Sequence, residues 1–127
     1  MKQLIKLFAI ISLFLFTACA GKCPKDIAED AAQCIQKKDF NGLVDLMSQN
    51  GKTPENDREL FVSLLDEKVG SLIDHRNGIK SYTIGEEIIN KEKGTASVKV
   101  KFFYGDGTNK EDTLKFSKKD GEWFLVM

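Results

Sequence analysis

The sequence predicts a single α+β domain in which three N-terminal helices pack on one face of a four-stranded antiparallel sheet. Three observations carry that prediction. Apolar residues recur at helical spacing from Asp26 to about Gly78, and from Ile79 onward they alternate with polar ones. The length of 127 residues, 42% of them hydrophobic, permits one core and leaves little room for a second. The 19 basic and 19 acidic side chains cancel, and no segment gathers the basic ones, so an electrostatic nucleic-acid binder is excluded. One histidine and three cysteines, none in a C-x-x-C or H-x-x-x-H spacing, exclude a zinc module. With no Gly-rich phosphate loop and no G-x-S-x-G either, no metal and no cofactor is expected.

The N-terminus reads as a targeting segment. Lys2 and Lys6 precede the apolar run LFAIISLFLF at residues 7–16, which suits a signal peptide and is shorter than the roughly 20 residues a spanning helix needs. The run ends in Phe16-Thr17-Ala18-Cys19, which resembles the bacterial lipobox, with Phe16 where leucine is usual. The expected division is therefore a signal peptide at 1–18, a lipidated tether at 19–24 and one α+β domain at 25–127. Cys19 would carry the lipid. The expected location is the bacterial cell envelope, anchored in a membrane and facing the periplasm or the cell surface. Removal of Lys2 and Lys6 leaves 17 basic and 19 acidic side chains, a net charge of −2. Nothing in that charge draws the protein to anionic lipid, so membrane affinity falls to the acyl chains, at about 0.8 kcal/mol per buried methylene.

Each element of the domain has a local reason. Asp26, spaced from Glu29 as in a capping box, is expected to cap a first helix with Ile27, Ala31, Cys34 and Ile35 on one face and Lys37 and Lys38 at its C-terminal end. Pro24 is read as breaking the chain before it. Cys34 would then lie about 12 Å along the axis from the cap, beyond the roughly 7 Å between Cα atoms that a disulfide to Cys23 tolerates, and it is expected as a small core residue. Phe40, Leu43, Val44 and Met47 mark a second, short helix stopping near Asn50-Gly51 and forming a hairpin with the first. Thr53 as N-cap and Pro54 behind it open a third helix that closes near His75 to Gly78. Its face of Leu60, Phe61, Leu64, Leu65, Val69, Leu72 and Ile73 is expected to be the principal cover for the sheet, with Gly70 kinking or dividing it.

Four strands follow. The first spans roughly 79 to 90. The second carries Ala96, Val98, Val100, Phe102 and Tyr104 on one face and Ser97, Lys99 and Lys101 on the other. The third alternates Leu114 and Phe116 with Thr113, Lys115 and Ser117, and Asp120-Gly121 is a strong two-residue hairpin signal leading into the last.

Taken together, the lipobox, Pro24 and Ala28, Asp39-Phe40, Ala96-x-Val98-x-Val100 and Leu114-x-x-x-Lys118-x-Asp120-Gly121-x-Trp123 resemble the small bacterial lipoproteins of domain-of-unknown-function family 4878. That family lies in the nuclear-transport-factor-2-like, or cystatin-like, superfamily. The resemblance implies a curved four-stranded antiparallel sheet wrapped around helices into a cystatin-like cone with a pocket. It brings no catalytic motif, and the lumazine-binding name sometimes attached to the family finds no supporting residue here.

Candidate site residues follow from that pocket. Trp123, Tyr82 and Tyr104 could line it and take a small apolar ligand. The last strand is apolar on both sets, so Phe124 and Val126, with Phe103, are expected on the outer face of the sheet, as an interface for a second copy or a protein partner. Asp74-His75 is the only Asp-His pair, but adjacent helix residues point about 100° apart and His75 suits the helix C-terminus, so no catalytic residue is assigned. The loop from Gly105 to Asp112 is rich in oxygen ligands but has Lys110 where a calcium loop needs Asp or Asn, and reads as a solvated hairpin. The functional expectation is a lipid-anchored, non-enzymatic binding or interaction module of the cell envelope. The alternative is a small-molecule isomerase, dehydratase or hydrolase using the same pocket.

Overall fold

Pro24 opens the first helix. The structure, a computed structural model, describes residues 22–47 and 55–126, and in it α1 runs Pro24–Lys37 behind an extended Cys23. The cap expected at Asp26 is therefore three residues too late. A proline in the first turn lacks only an N–H that would have had no partner there, and its fixed φ already suits the helix. Asp26 reaches back from the third position, where its carboxylate accepts a hydrogen bond from the Cys23 N–H at 3.3 Å. The Lys25 N–H donates to Glu87 of the first strand at 2.8 Å, so a carboxylate from the sheet meets the positive end of the helix. Pro24 itself is fully buried and belongs to the domain.

After α1 come α2 (Phe40–Met47), α3 (Glu55–Leu65), a π-helical turn (Asp66–Gly70) and α4 (Ser71–His75). The α1–α2 pair forms the expected hairpin. The stop at Asn50-Gly51 and the start at Thr53-Pro54 lie outside the described residues. From Glu55 to His75 the backbone stays helical, and the division expected at Gly70 takes the form of the π turn. Gly70 packs closely there: a Cβ would stand 2.7 Å from the Asp66 carboxylate, which that exposed side chain can swing away from, and 3.4 Å from the Phe40 ring.

The principal cover of the sheet is α1, not the third helix. Ala28, Ala31 and Ala32 are wholly buried and Ile27 nearly so, and the helix lies across three of the four strands. The third helix packs on α2 and faces it with a different stripe. Arg58 donates to the Asn41 carbonyl and pairs with Asp45 at 2.6 Å, and Val62, Leu65 and Val69 follow it inward. Leu60, Phe61, Leu64 and Leu72 are exposed. The apolar pattern is wider than the surface one neighbouring helix can cover, so part of it stays outside. Among the described residues no helix is long and apolar enough to cross a membrane.

The strands β1 (Ile79–Asn90), β2 (Thr95–Tyr104), β3 (Asn109–Lys119) and β4 (Glu122–Val126) form one antiparallel meander in chain order. Asp120 and Gly121 both have positive φ, 53° and 80°, as a type I′ hairpin requires. Register places Tyr82 opposite Phe102, Val98 opposite Leu114 and Phe116 opposite Leu125. Val98, Val100, Phe102, Tyr104, Phe116 and Leu125 thus share the buried inner face with α1. A register shift in β1 between Ile84 and Glu87 turns Glu87 inward to its place at the α1 N-terminus.

Candidate ligand-binding cavity

The site follows from a mismatch of strand lengths. β4 pairs only with Lys115–Lys119 of β3, so among the described residues β3 from Asn109 to Leu114 is an open edge. Beside that edge lies a cavity of about 470 Å³, within the roughly 300–1,000 Å³ common for small-molecule sites. Its floor is Ile79 of β1 with Phe102 and Tyr104 of β2. Its far wall is Ile35 of α1, Val69 of the π turn, and Leu72 and Ile73 of α4. Lys110, Asp112, Thr113, Leu114 and Lys115 of β3 close the near side, with Val126 at the end of β4. The walls are largely apolar, and the charged side chains all come from β3, with Tyr104 of β2 as a further polar lining residue. Lys110 and Asp112 form a loose ion pair at 3.6 Å, each about half exposed.

The end of the cone beyond Tyr104 is tied by backbone contacts. The Gly105 N–H donates to the Gly78 carbonyl at 2.9 Å and the Asp106 N–H to the Arg76 carbonyl at 3.0 Å, joining the β2–β3 hairpin to the exit of α4. Gly105 must be glycine, since a Cβ there would overlap the Asn77 carbonyl oxygen. The Arg76 guanidinium sits 5.0 Å from the centroid of the Tyr104 ring and donates to the Thr108 hydroxyl at 3.2 Å. Asp106 accepts from the Thr108 hydroxyl and backbone N–H, and those bonds, with Arg76 nearby, hold its carboxyl below the usual carboxylate range. The loop from Gly105 to Asp112 is therefore closed by its own hydrogen bonds. Among the described residues no cluster suited to a metal ion occurs.

The structure separates the three residues expected to share one pocket. Tyr104 lines the cavity and is 5% exposed. Trp123 lines a different hollow of about 260 Å³ at the opposite end of the sheet, with Lys22, Ile27, Asp45 and Leu46, and the Lys118 ammonium lies 5.7 Å from its ring. Tyr82, half-buried against the core, belongs to the lining of neither. On the outer face, Phe103 and Phe124 are half-buried and Val126 is exposed, but they form no continuous patch. Phe103 stands opposite Asn109 at one end of the sheet and Val126 opposite Lys115 near the other, with Lys99, Lys101, Glu111 and Thr113 between. Asp74 and His75 are exposed, and Asp74 pairs with Lys38 at 2.8 Å.

Sequence reasoning missed Leu72, Ile73, Lys110 and Asp112 as wall residues. Among the described residues the free thiol is Cys34, so no Cys23–Cys34 bridge forms, and Cys23 is disulfide-bonded. Cys34 is half-buried beside the core, and burial, with Asp39 nearby, pushes its thiol up from the ordinary value of 9.0.

The family model "Domain of unknown function (DUF4878)" matches residues 17–126, and the chain belongs to that family. No curated protein matches it. A solved structure from Campylobacter jejuni, provisionally named an NTF2-like transpeptidase, is similar to it with a TM-score of 0.64 and 17% sequence identity, covering 84% of this chain and 99% of that one. The α+β architecture is thus that of an NTF2-like fold.

Proposed function

We propose that this member of the family is a lipid-anchored, non-enzymatic binding module of the bacterial cell envelope, with the cavity beside the open edge of β3 as its ligand site. The observation that carries the reading is the composition of that cavity. Its walls are apolar on six elements besides β3, and its charged groups, Lys110, Asp112 and Lys115, all belong to that one strand. Acid–base chemistry needs two tuned groups converging on one substrate atom, whereas a binding pocket needs an apolar body and a few polar contacts.

The name of the Campylobacter protein suggests transpeptidation, which uses an activated nucleophile. Cys34 does not supply one, because its raised pKa keeps it in the thiol form and it lies outside the cavity lining. The envelope location rests on the lipobox-like Phe16-Thr17-Ala18-Cys19, which lies outside the described residues.

Two measurements test the reading. The neutral fluorescent dye 1-aminoanthracene should brighten on the purified full chain, and Val69→Trp, which fills the cavity from the π turn, should abolish that signal. An undiminished signal in a variant that still melts cooperatively overturns the cavity as the site. Metabolic labelling with a clickable fatty acid should mark the wild-type protein and not Cys19→Ala, and labelling of the variant removes the anchor.

A further inference from the structure

We propose that two copies of this chain associate through the open edge of β3, pairing antiparallel about a two-fold axis at Glu111 so that one sheet continues into the other. The edge is open in its main chain. The Tyr104 N–H donates to the Thr108 carbonyl and the Lys118 N–H to the Gly94 carbonyl. Even-numbered residues of β3 therefore turn their main chain toward β2, and odd-numbered ones turn theirs away from it. Of the odd-numbered residues, Lys115, Ser117 and Lys119 meet β4. Asn109, Glu111 and Thr113 meet no strand among the described residues, and all three are exposed. Their N–H and C=O groups are a template for another strand.

Charge decides which strand fits. Lys110 and Asp112 stand on the inner set of β3, opposite Phe102 and Val100, and inward-pointing charges at an edge repel a strand that sets apolar or like-charged side chains against them. A second β3 brings the reverse pair. With the axis at Glu111, each Lys110 faces Asp112 of the second copy, in the closer, non-hydrogen-bonded pairs of the ladder. Lys110 and Asp112 already lie 3.6 Å apart within one copy, so the two copies complete a square of alternating sign. An axis at residue 110 or 112 would set Lys110 or Asp112 against itself. The axis at Glu111 also uses every open residue, because Asn109 then exchanges hydrogen bonds with Thr113 of the second copy. One like-charged pair remains, Glu111 against itself on the outer face. It falls in a wider, hydrogen-bonded pair, and each Glu111 has Lys101 of β2 on its other side. The contact is short, so the pairing is expected to be weak and concentration-dependent.

The test is cross-linking of the full chain, read on a non-reducing gel above the background of the unsubstituted protein. Glu111→Cys, oxidised with copper phenanthroline, should give a dimer, since opposite Cα atoms in such a pair lie about 5.5 Å apart, within reach of a disulfide. Thr113→Cys should cross-link about tenfold more slowly, because the two copies of residue 113 would lie about 14 Å apart. Lys110→Glu or Asp112→Lys, each added to Glu111→Cys, should slow the reaction about tenfold by setting like charges opposite each other. An equal mixture of those two proteins should recover the rate, because each then faces its opposite charge. Lys80→Glu, on the far edge of the sheet, should change nothing, and every variant is checked for a cooperative melt. Absence of dimer above background, equal rates at residues 111 and 113, charge variants as fast as Glu111→Cys alone, or a mixture as slow as its components overturns the pairing.

Discussion

Two helical segments of this chain carry strong apolar patterns, and they meet opposite fates. α1 presents Ala28, Ala31 and Ala32 to the sheet and is buried along its whole inner face. The segment from Glu55 to His75 has the larger side chains, yet Leu60, Phe61, Leu64 and Leu72 remain exposed while Leu65 and Ile73 are buried. Apolar bulk therefore did not decide which helix covers the sheet. Small residues did, because they let a helix axis approach closely enough to contact several strands, while large ones hold it off. The same contrast explains the cavity, for the longer side chains of α4 and the π turn stand over the end of the sheet that β4 does not reach.

A charge placed on each helix should break this comparison most visibly. Ala31→Glu buries an unpaired carboxylate against the strands and should unfold the domain, at a cost above about 4 kcal/mol. Leu64→Glu, at a side chain 42% exposed, should stay within about 1 kcal/mol, read as the midpoint of urea unfolding. A smaller effect distinguishes neighbours on one helix. Leu65→Ala should cost about 2–4 kcal/mol and Leu64→Ala less than about 1 kcal/mol. The reverse order would mean that α3 presents the stripe its sequence pattern suggests and not the one that Arg58, Val62 and Leu65 define.

The smallest effect concerns pH. Cys34 has its pKa raised in the folded state by burial, then by Asp39. The folded protein thus holds that proton more tightly than the unfolded chain. The stability this contributes is present below the ordinary value of 9.0 and is lost as pH rises through the raised one. Cys34→Ala should flatten the fall in urea midpoint between neutral and alkaline pH. An unchanged slope would show that the thiol is not buried in solution.

How much of this was legible beforehand differs from element to element. The inner and outer faces of β2, from Ala96 to Tyr104, follow from alternation, since the pleat sends successive side chains to opposite sides. Asp120-Gly121 announces its own turn, because few other pairs accept positive φ twice. Trp123 and Leu125 fall on the inner set and Phe124 and Val126 on the outer, as the period of two demands. These are local facts of backbone geometry, and the family likeness and the α+β class rest on them. The start of α1 was misread for a local reason too, as Pro24 has opposite meanings inside a helix and at its first turn.

The remaining features depend on contacts that no local pattern contains. Which helix lies on the sheet, where Glu87 finds an N-terminus to cap, and why Tyr104 and Trp123 occupy different hollows are settled only when distant segments compete for the same surface. The apolar content of a stripe is written in the sequence. Its burial depends on how near a second element can come, and that distance is set by side chains tens of residues away. The class of fold was accordingly determined by periodicity alone, whereas the cavity exists only because β4 stops short of the open half of β3 and the π turn and α4 stand above the gap.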